Sequence, residues 1–367
     1  MVKEINTQIR SDIVFGRELS RQDAEAVHLA EKEPRLETVS VLVPSHNHGR
    51  FISRCLRSII EQSHKPLQLI VIDDGSEDDS VRRIEQELKD CPFESELIAS
   101  THKGLVQTLN EGLKRSRGKY FAYLGSDDVW LPGFLASRVK LLESRSDAVL
   151  AYGHSFVIND EDQIVECTKD WAAYNTGSAR EMLLNVIVPF SPSVLYRREI
   201  LERCHWNEDA QLEDYDLYLR LSVEGEFAFD EATSCAWRTH GKNSSQDLQF
   251  MLKECLEAQR RAASSLHLTS NELEKANARL KWRFGGDFIK AGERGRGIKL
   301  LCLNLKGAPS YASVARMMGA VIIPTPILRW RKKYIEGIVN LISGKDFSAR
   351  KWPKFSCLSC TTSIFKL

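Results

Sequence analysis

The stretch TVSVLVPSHNHGRFISRCLRSII, Thr38–Ile60, runs through β-branched and apolar residues to Pro44, then sets Ile52, Cys55, Leu56, Ile59 and Ile60 at helical spacing. It predicts a strand that hands over at once to an amphipathic helix, with the polar PSHN at the junction. The pattern repeats downstream. LQLIVIDDGS (Leu67–Ser76) reads as a second strand, followed by the helical DDSVRRIEQELKD. SELIAS offers a third strand, GLVQTLNEGLKRS a helix with Leu105, Leu109 and Leu113 four apart, KYFAYL a fourth strand and DAVLAYG a fifth. Alternating strands and helices with nearly continuous apolar strands predict an α/β domain on a mostly parallel sheet.

Ligands of such sheets bind beyond the carboxyl ends of the strands. Here those ends carry PSHN, DDGS and GSDD. Each cluster alone is an ordinary turn or cap; together, at one sheet edge, they predict one shared site. The stretch YFAYLGSDDVWLPG (Tyr120–Gly133) poses the sharpest question, because a core strand ends on two repelling carboxylates, Asp127 and Asp128. Adjacent carboxylates are tolerated where a cation sits beside them, and hard divalent ions take oxygen ligands. Two protein carboxylates suffice if a diphosphate supplies further oxygens to Mg²⁺ or Mn²⁺.

Composition narrows the classes. The 367 residues are 43% apolar and 28% charged, enough for a large core and more than one domain. Lys plus Arg (51) balance Asp plus Glu (50), so no global field argues for nucleic acid. Nine scattered cysteines suit reduced thiols and a cytoplasmic setting; the CxxC of Cys357 and Cys360 has no second pair to complete a zinc site. The first twenty residues lack the apolar core of a secretory signal. The longest apolar run, Met317–Leu328, is shorter than the ~20 residues a bilayer demands and contains Pro324 and Pro326. No dinucleotide fingerprint follows a strand, and GERGRG (Gly292–Gly297) reads as a turn.

VSVLVPSHNHGRFISRCLRSIIEQ, LIVIDDGSEDDS, GLVQTLNEGLKRSRGKYFAYLGSDDVWLPGFL and LEDYDLYLRL, in that order and spacing, resemble the successive motifs of glycosyltransferase family 2, inverting enzymes of the GT-A fold. The resemblance spans roughly Thr38 to Ser245. It implies a nucleotide-diphosphate-sugar donor, UDP-linked by preference, and a Mn²⁺ or Mg²⁺ cofactor. Pro44, Ser45 and Asn47 then line the nucleotide pocket. Asp74 hydrogen-bonds the base, while Asp73 supports the turn beside it. GSDD matches the metal motif, with Ser126 and Asp127 on the nucleotide side and Asp127 or Asp128 on the ion. Gly125 stands where the longer form of that motif carries its first aspartate.

The same resemblance makes Asp214 the general base, with Glu213 beside it on the acceptor or sugar side. Negative charge in the first turn of a helix is stabilised by its dipole, which favours the ionised form. CAWRTHGKNSS matches a late W/Y-R-x-H element, placing His240 near the diphosphate or metal, and Trp237 and Arg238 on the sugar or acceptor side. Acceptor choice is expected to lie within Tyr152–Asn207.

Four regions are expected: an N-terminal extension (1–37), a catalytic GT-A domain (38–245), a helical C-terminal region (246–343) and a polar tail (344–367). The helical region contains a capping box from Thr269 to Glu272. From Arg329 to Lys354 eight basic residues face two acidic ones, interleaved with Trp330, Tyr334 and Trp352. Residues 317–354 therefore suit the surface of an anionic membrane. The expected acceptor is a lipid-linked or other saccharide. The competing classes are a non-catalytic nucleotide-sugar-binding scaffold and a sugar nucleotidyltransferase; the latter calls for a glycine-rich basic loop after the first strand, where PSHNHGR has one glycine.

Overall fold

The computed structural model describes residues 37–241 and 247–322. Most of the N-terminal extension, the basic segment beyond Ile322, the polar tail and the Cys357/Cys360 pair lie outside the described residues.

Strand β1 (Val39–Ser45) is buried along its whole length, and helix α1 (Gly49–Ile60) turns Ile52, Cys55, Leu56 and Ile59 inward. Strand β2 (Gln68–Asp74) is equally buried and leads to α2 (Ser80–Leu88). Strand β3 (Glu94–Ser100), at the sheet edge, alternates between exposed and half-buried positions. Helix α3 (Leu105–Arg115), β4 (Tyr120–Tyr123), the two-residue β5 (Val129–Trp130) and α4 (Phe134–Ser144) follow. The second half adds β6 (Ala148–Ile158), β7 (Ile164–Cys167), α5 (Arg180–Leu184), β8 (Leu195–Arg197), α6 (Arg198–Cys204), α7 (Glu213–Leu221) and β9 (Glu226–Arg238).

The strands form one sheet in the order β3-β2-β1-β4-β8-β6-β9-β5, with β7 hydrogen-bonded to β6. β1 to β4 pair in parallel; β8 is antiparallel to both β4 and β6, which returns β6 and its parallel partner β9 to the direction of β1. The sheet is therefore mostly parallel, with β5, β7 and β8 reversed. Side chains alternate between faces with the period of two that a pleated strand imposes. Leu42, Ile70, Ile72, Phe121 and Tyr123 enter one core, and Val41, Val43, Leu69, Val71 and Ala122 the other.

Helices α8 (Leu248–Ala262), α9 (Ser270–Ala291), α10 (Arg294–Leu303) and α11 (Tyr311–Ile322) complete the described chain. Cys255 and Ala258 of α8 and Leu280, Phe284 and Phe288 of α9 share one buried cluster with Tyr215, Leu217 and Leu219 of α7. The helical region is thus packed onto the sheet through a common core. Its capping box forms as expected: the Glu272 N–H donates to Thr269 Oγ1 (3.2 Å) and the Thr269 N–H to Glu272 Oε2 (2.8 Å). Of GERGRG only Gly292, at φ 103°, and Glu293 lie between α9 and α10; where a turn was expected, Arg294–Gly297 form the first turn of α10. Among the described residues no helix is long and apolar enough to cross a membrane.

Candidate active site

Parallel pairing of β1 with β2 sets Ser45 opposite Asp73, so the PSHN and DDGS loops leave the sheet side by side. Pro44 and Ser45 are buried at the strand end, whereas Asn47 is exposed in a left-handed conformation at φ 55°, which Asn tolerates better than most residues. Asn47 ties the two loops together: its N–H donates to Ser76 Oγ (2.8 Å) and its Oδ1 accepts from the Glu77 N–H (2.8 Å). Asp73 holds the turn, accepting from the Ser76 N–H (2.8 Å) and hydroxyl (2.7 Å). At Gly75, φ 77°, a Cβ would lie 2.8 Å from the His102 nitrogen, so only glycine fits.

Asp74 is fastened to the loop before α3. It accepts from the backbone N–H groups of Lys103 (2.6 Å) and Gly104 (2.8 Å), and His102 Nδ1 lies 2.9 Å from its Oδ2. A carboxylate has about four acceptor positions. The two backbone bonds fix the carboxylate's orientation and leave about two of those positions for a ligand.

The β4–β5 loop carries the paired aspartates, and it turns through a hydrogen bond from the Asp128 N–H to Gly125 O (2.9 Å). Asp128 points inward, 4% exposed, and its Oδ1 accepts from the Arg238 N–H (2.8 Å). Burial first, and the Asp127 charge second, push its pKa well above the ordinary carboxylate range. Asp127 faces the cleft instead. Its Oδ2 accepts from His240 Nε2 (3.1 Å), and its Oδ1 lies 3.8 Å from His48 Nδ1. That hydrogen bond to Asp127 raises the His240 pKa, while burial lowers that of His48. A Cβ built on Gly125 would sit 2.9 Å from Asp128 Oδ2 and 3.1 Å from Asp127 Oδ1. A side chain at that position would press on both carboxylates.

The residues fit a divalent ion. His48, Asp127 and His240 each offer a ligand atom, all within 4.8 Å of one another. Asp127 is the carboxylate on that side of the loop. His48 was not among the residues the sequence pointed to; its only signal was its place in the polar run after β1.

Arg238 requires a correction. Expected on the sugar or acceptor side, it is 1% exposed and spent on the loops around the aspartates. Its Nε donates to Asp127 O (2.8 Å), Nη1 to Asn159 O (2.6 Å) and Nη2 to Asp162 Oδ1 (2.5 Å), and the guanidinium lies over the Phe51 ring at 4.5 Å. Asp162 also pairs with Arg54. The reason is topological. Antiparallel pairing of β9 with β5 sets Ala236 opposite Val129 and carries Arg238 past the β4–β5 loop. Trp237, alternating to the other side, is half-buried against Phe190 at 5.1 Å, and Phe190 in turn meets Trp171 at 6.0 Å.

Glu213 and Asp214 begin α7, half-buried. Asp214 Oδ1 accepts from the Tyr215 N–H (2.6 Å). Burial nevertheless outweighs the helix dipole: the Asp214 pKa is raised to about 6, and that of Glu213, by burial and then by the Asp214 charge, to about 8. Burial first, and then the charges of Glu213 and Asp214, push up the pKa of the Tyr123 hydroxyl at the end of β4, so the acidic pair is within electrostatic reach of the strand that leads to Asp127 and Asp128. Asp216 is differently employed, buried between Arg220 (2.9 Å) and Arg261 (2.8 Å). α7 itself is pinned by the Tyr215 hydroxyl, which donates to Leu183 O (2.9 Å) and accepts from Gln259 Nε2 (2.9 Å).

Residues 40–204 match the model of the family described as Glycosyl transferase family 2. An uncharacterized glycosyltransferase of Haemophilus influenzae is 30% identical over 221 residues, covering 56% of this chain and 67% of that protein. The chain belongs to glycosyltransferase family 2. The chondroitin synthase of Escherichia coli is 29% identical over 214 residues, 58% of this chain but only 30% of the synthase, so the chain spans under a third of that relative's length. In fold it resembles a mannosyltransferase from Pyrobaculum calidifontis solved with GDP-Man and Mn²⁺, with TM-score 0.55, 17% identity, and coverage of 88% of this chain and 94% of that one. At that identity the likeness establishes the GT-A fold alone.

Proposed function

We propose that this family 2 chain is an inverting glycosyltransferase that moves a sugar from a nucleotide-diphosphate donor, UDP-linked by preference, to a hydroxyl of a saccharide or lipid-linked acceptor in cell-surface polysaccharide or glycolipid synthesis. The observation that carries the reading is the pairing of two differently built acidic centres. Asp127, with His240 against it, sits on the β4–β5 loop, and Asp214 stands at the start of α7 near the end of β4.

Inversion needs the acceptor oxygen to attack C1 on the face opposite the leaving diphosphate. Asp214 takes the acceptor's hydroxyl proton as the new C–O bond forms and the bond to the diphosphate oxygen breaks. With a pKa of about 6 it is ionised at neutral pH and more basic than an ordinary aspartate, which favours proton abstraction. Glu213, at about 8, holds its proton at neutral pH and spares Asp214 a second adjacent charge. Asp127 and His240 are the residues that would hold Mn²⁺ or Mg²⁺; such an ion supplies Lewis-acid stabilisation to the departing diphosphate. Asp128 stays inside, locking the loop to β9 through the Arg238 N–H.

UDP is favoured because the ordered Asp74 suits the imide of uracil. Trp237, Phe190 and Trp171 offer aromatic faces on which an acceptor sugar can stack. A cytoplasmic location, with attachment to an anionic membrane surface through residues 317–354, accompanies this reading and rests on the composition of that segment.

The test is a donor screen. The full chain, incubated with Mn²⁺ or Mg²⁺, UDP- and GDP-sugars and a set of lipid-linked and free saccharide acceptors, should release nucleoside diphosphate together with a glycoside of inverted anomeric configuration. Pyrophosphate release instead would mean nucleotidyl transfer. Donor binding without turnover across the set would leave a scaffold.

A further inference from the structure

We infer that His48 is an additional protein ligand to the active-site ion and that it sets the metal preference toward transition ions over Mg²⁺. The inference rests on the metal-dependent reading above and deepens it.

The geometry comes first. Two ligands on opposite sides of an ion lie about 4.2 Å apart, and adjacent ones closer. The ligand atoms of His48, Asp127 and His240 all fall within 4.8 Å of one another, so closure of about 1–1.5 Å brings all three onto one ion. They come from three separate parts of the chain: the β1–α1 junction, the β4–β5 loop and the segment after β9. Their convergence is a product of the fold and not of local sequence.

His48 is also held in place from both sides. Its N–H donates to Ser80 Oγ (3.1 Å), and its carbonyl accepts from the N–H groups of Phe51 (2.8 Å) and Ile52 (3.0 Å). Although it occupies the N-cap of α1, its side chain makes no capping hydrogen bond. The ring turns the other way, across the cleft, where Nδ1 meets Ser126 Oγ at 2.7 Å and the ring centroid lies 5.7 Å from that of His240. In the neutral ring with its proton on Nδ1, that N–H donates to Ser126 Oγ and the lone pair of Nε2 is left for an ion, the arrangement in which a ligating histidine gives its other ring N–H to a neighbour. Cap geometry fixes the backbone and Ser126 fixes the ring, which together pre-orient a ligand.

The donor set decides the consequence. Carboxylate and water oxygens suit Mg²⁺, whereas imidazole nitrogens favour transition ions. One carboxylate and one imidazole leave that choice open. One carboxylate and two imidazoles tilt it, since Mg²⁺ demands oxygen and retains its waters.

The experiment measures metal binding to the full chain in the presence of UDP, with Mn²⁺ followed by electron paramagnetic resonance, Mg²⁺ by calorimetry, and Co²⁺ by its visible absorption. The wild-type chain should prefer Mn²⁺ to Mg²⁺. His48→Ala and His48→Gln should each weaken Mn²⁺ by about 10-fold or more, leave Mg²⁺ within about 3-fold because oxygen ligands dominate its binding, and shift the Co²⁺ spectrum as one nitrogen is lost. Gln restores the hydrogen bond to Ser126, so recovery of wild-type Mn²⁺ affinity in His48→Gln would show a hydrogen-bonding role and overturn the inference. Equal losses for Mn²⁺ and Mg²⁺, or none for either, overturn it too while the transferase reading stands. A wild-type chain whose UDP binding ignores every metal would overturn both.

Discussion

Asp214→Asn should abolish most of the transfer and at the same time make the protein more stable at neutral pH. The two effects share one cause, an ionised carboxylate held in a half-buried position. The Asp214 pKa moves from 3.8 in the unfolded chain to about 6 in the folded one. Below pH 4 both states carry the proton and the group is neutral in its effect. Between pH 4 and 6 the unfolded chain releases the proton and the folded chain keeps it, so stability falls as pH rises; above pH 6 the full cost is present. A shift of roughly two units corresponds to about 3 kcal/mol at 1.36 kcal/mol per unit, reduced to about 1–2 kcal/mol because the side chain is partly open to solvent, which screens it.

Asparagine keeps the shape and has no charge to bury. Its melting temperature should exceed the wild type's by a few degrees at pH 7.5, given about 2–4 °C per kcal/mol for a domain of this size, and match it at pH 4. Transfer should drop by about 10²- to 10⁴-fold, the usual worth of a general base, with UDP affinity nearly unchanged. The wild-type rate should climb with pH through about 6 as Asp214 becomes ionised. Scanning fluorimetry across pH beside a nucleotide-release assay checks all of this. A variant that melts lower at pH 7.5, or one that keeps near-normal transfer, refutes the reasoning; Glu213 is then the remaining acid on the first turn, since Asp216 is committed to Arg220 and Arg261.

Replacing Asp127 by Ala should remove metal-dependent UDP binding, read by calorimetry with and without EDTA, while melting changes little because the side chain faces the cleft. Arg238→Ala takes a donor from the carbonyls of Asp127 and Asn159, while Asp162 keeps Arg54, and should cost about 1–3 kcal/mol of stability; Arg238→Lys should recover part of the stability but little of the metal affinity, since one ammonium cannot replace the planar fork. Gly125→Ala should weaken Mn²⁺ binding by pressing a methyl against both carboxylates, seen by electron paramagnetic resonance, with UDP binding in the absence of metal unaffected. Asp74→Ala should loosen the loop from His102 to Gly104 and cut affinity for UDP more than for GDP, measured by competition.

The first half of the sheet was legible because its strands are short, apolar and separated by helices of clear period. Val39–Ser45, Gln68–Asp74 and Tyr120–Tyr123 each bury every residue, and a run of apolar side chains announces that directly. The second half hid its organisation. β9 reads EFAFDEATSCAWR, with Glu231 and Ala232 exposed in mid-strand and register shifts against β6, so neither a continuous apolar run nor a clean alternation marks it. β5 has two residues and exists only because β9 pairs with it. What stayed hidden at the site follows from that gap. Motif order sets His240 near the diphosphate or metal and Trp237 and Arg238 on the sugar or acceptor side, but only the β5–β9 pairing shows what each of them touches. It turns Arg238 into the brace of the aspartate loop, leaves Trp237 on Phe190, and brings His240 to Asp127. His48 was hidden for a different reason, since a lone histidine after a strand has no period and no spacing to give it away. Its meaning depends on Asp127 and His240, which lie 79 and 192 positions away in the chain and come within reach of it only through the fold. A motif therefore names the residue types of such a site, while the sheet decides which of them touch the ion, which hold the loop and which face the acceptor.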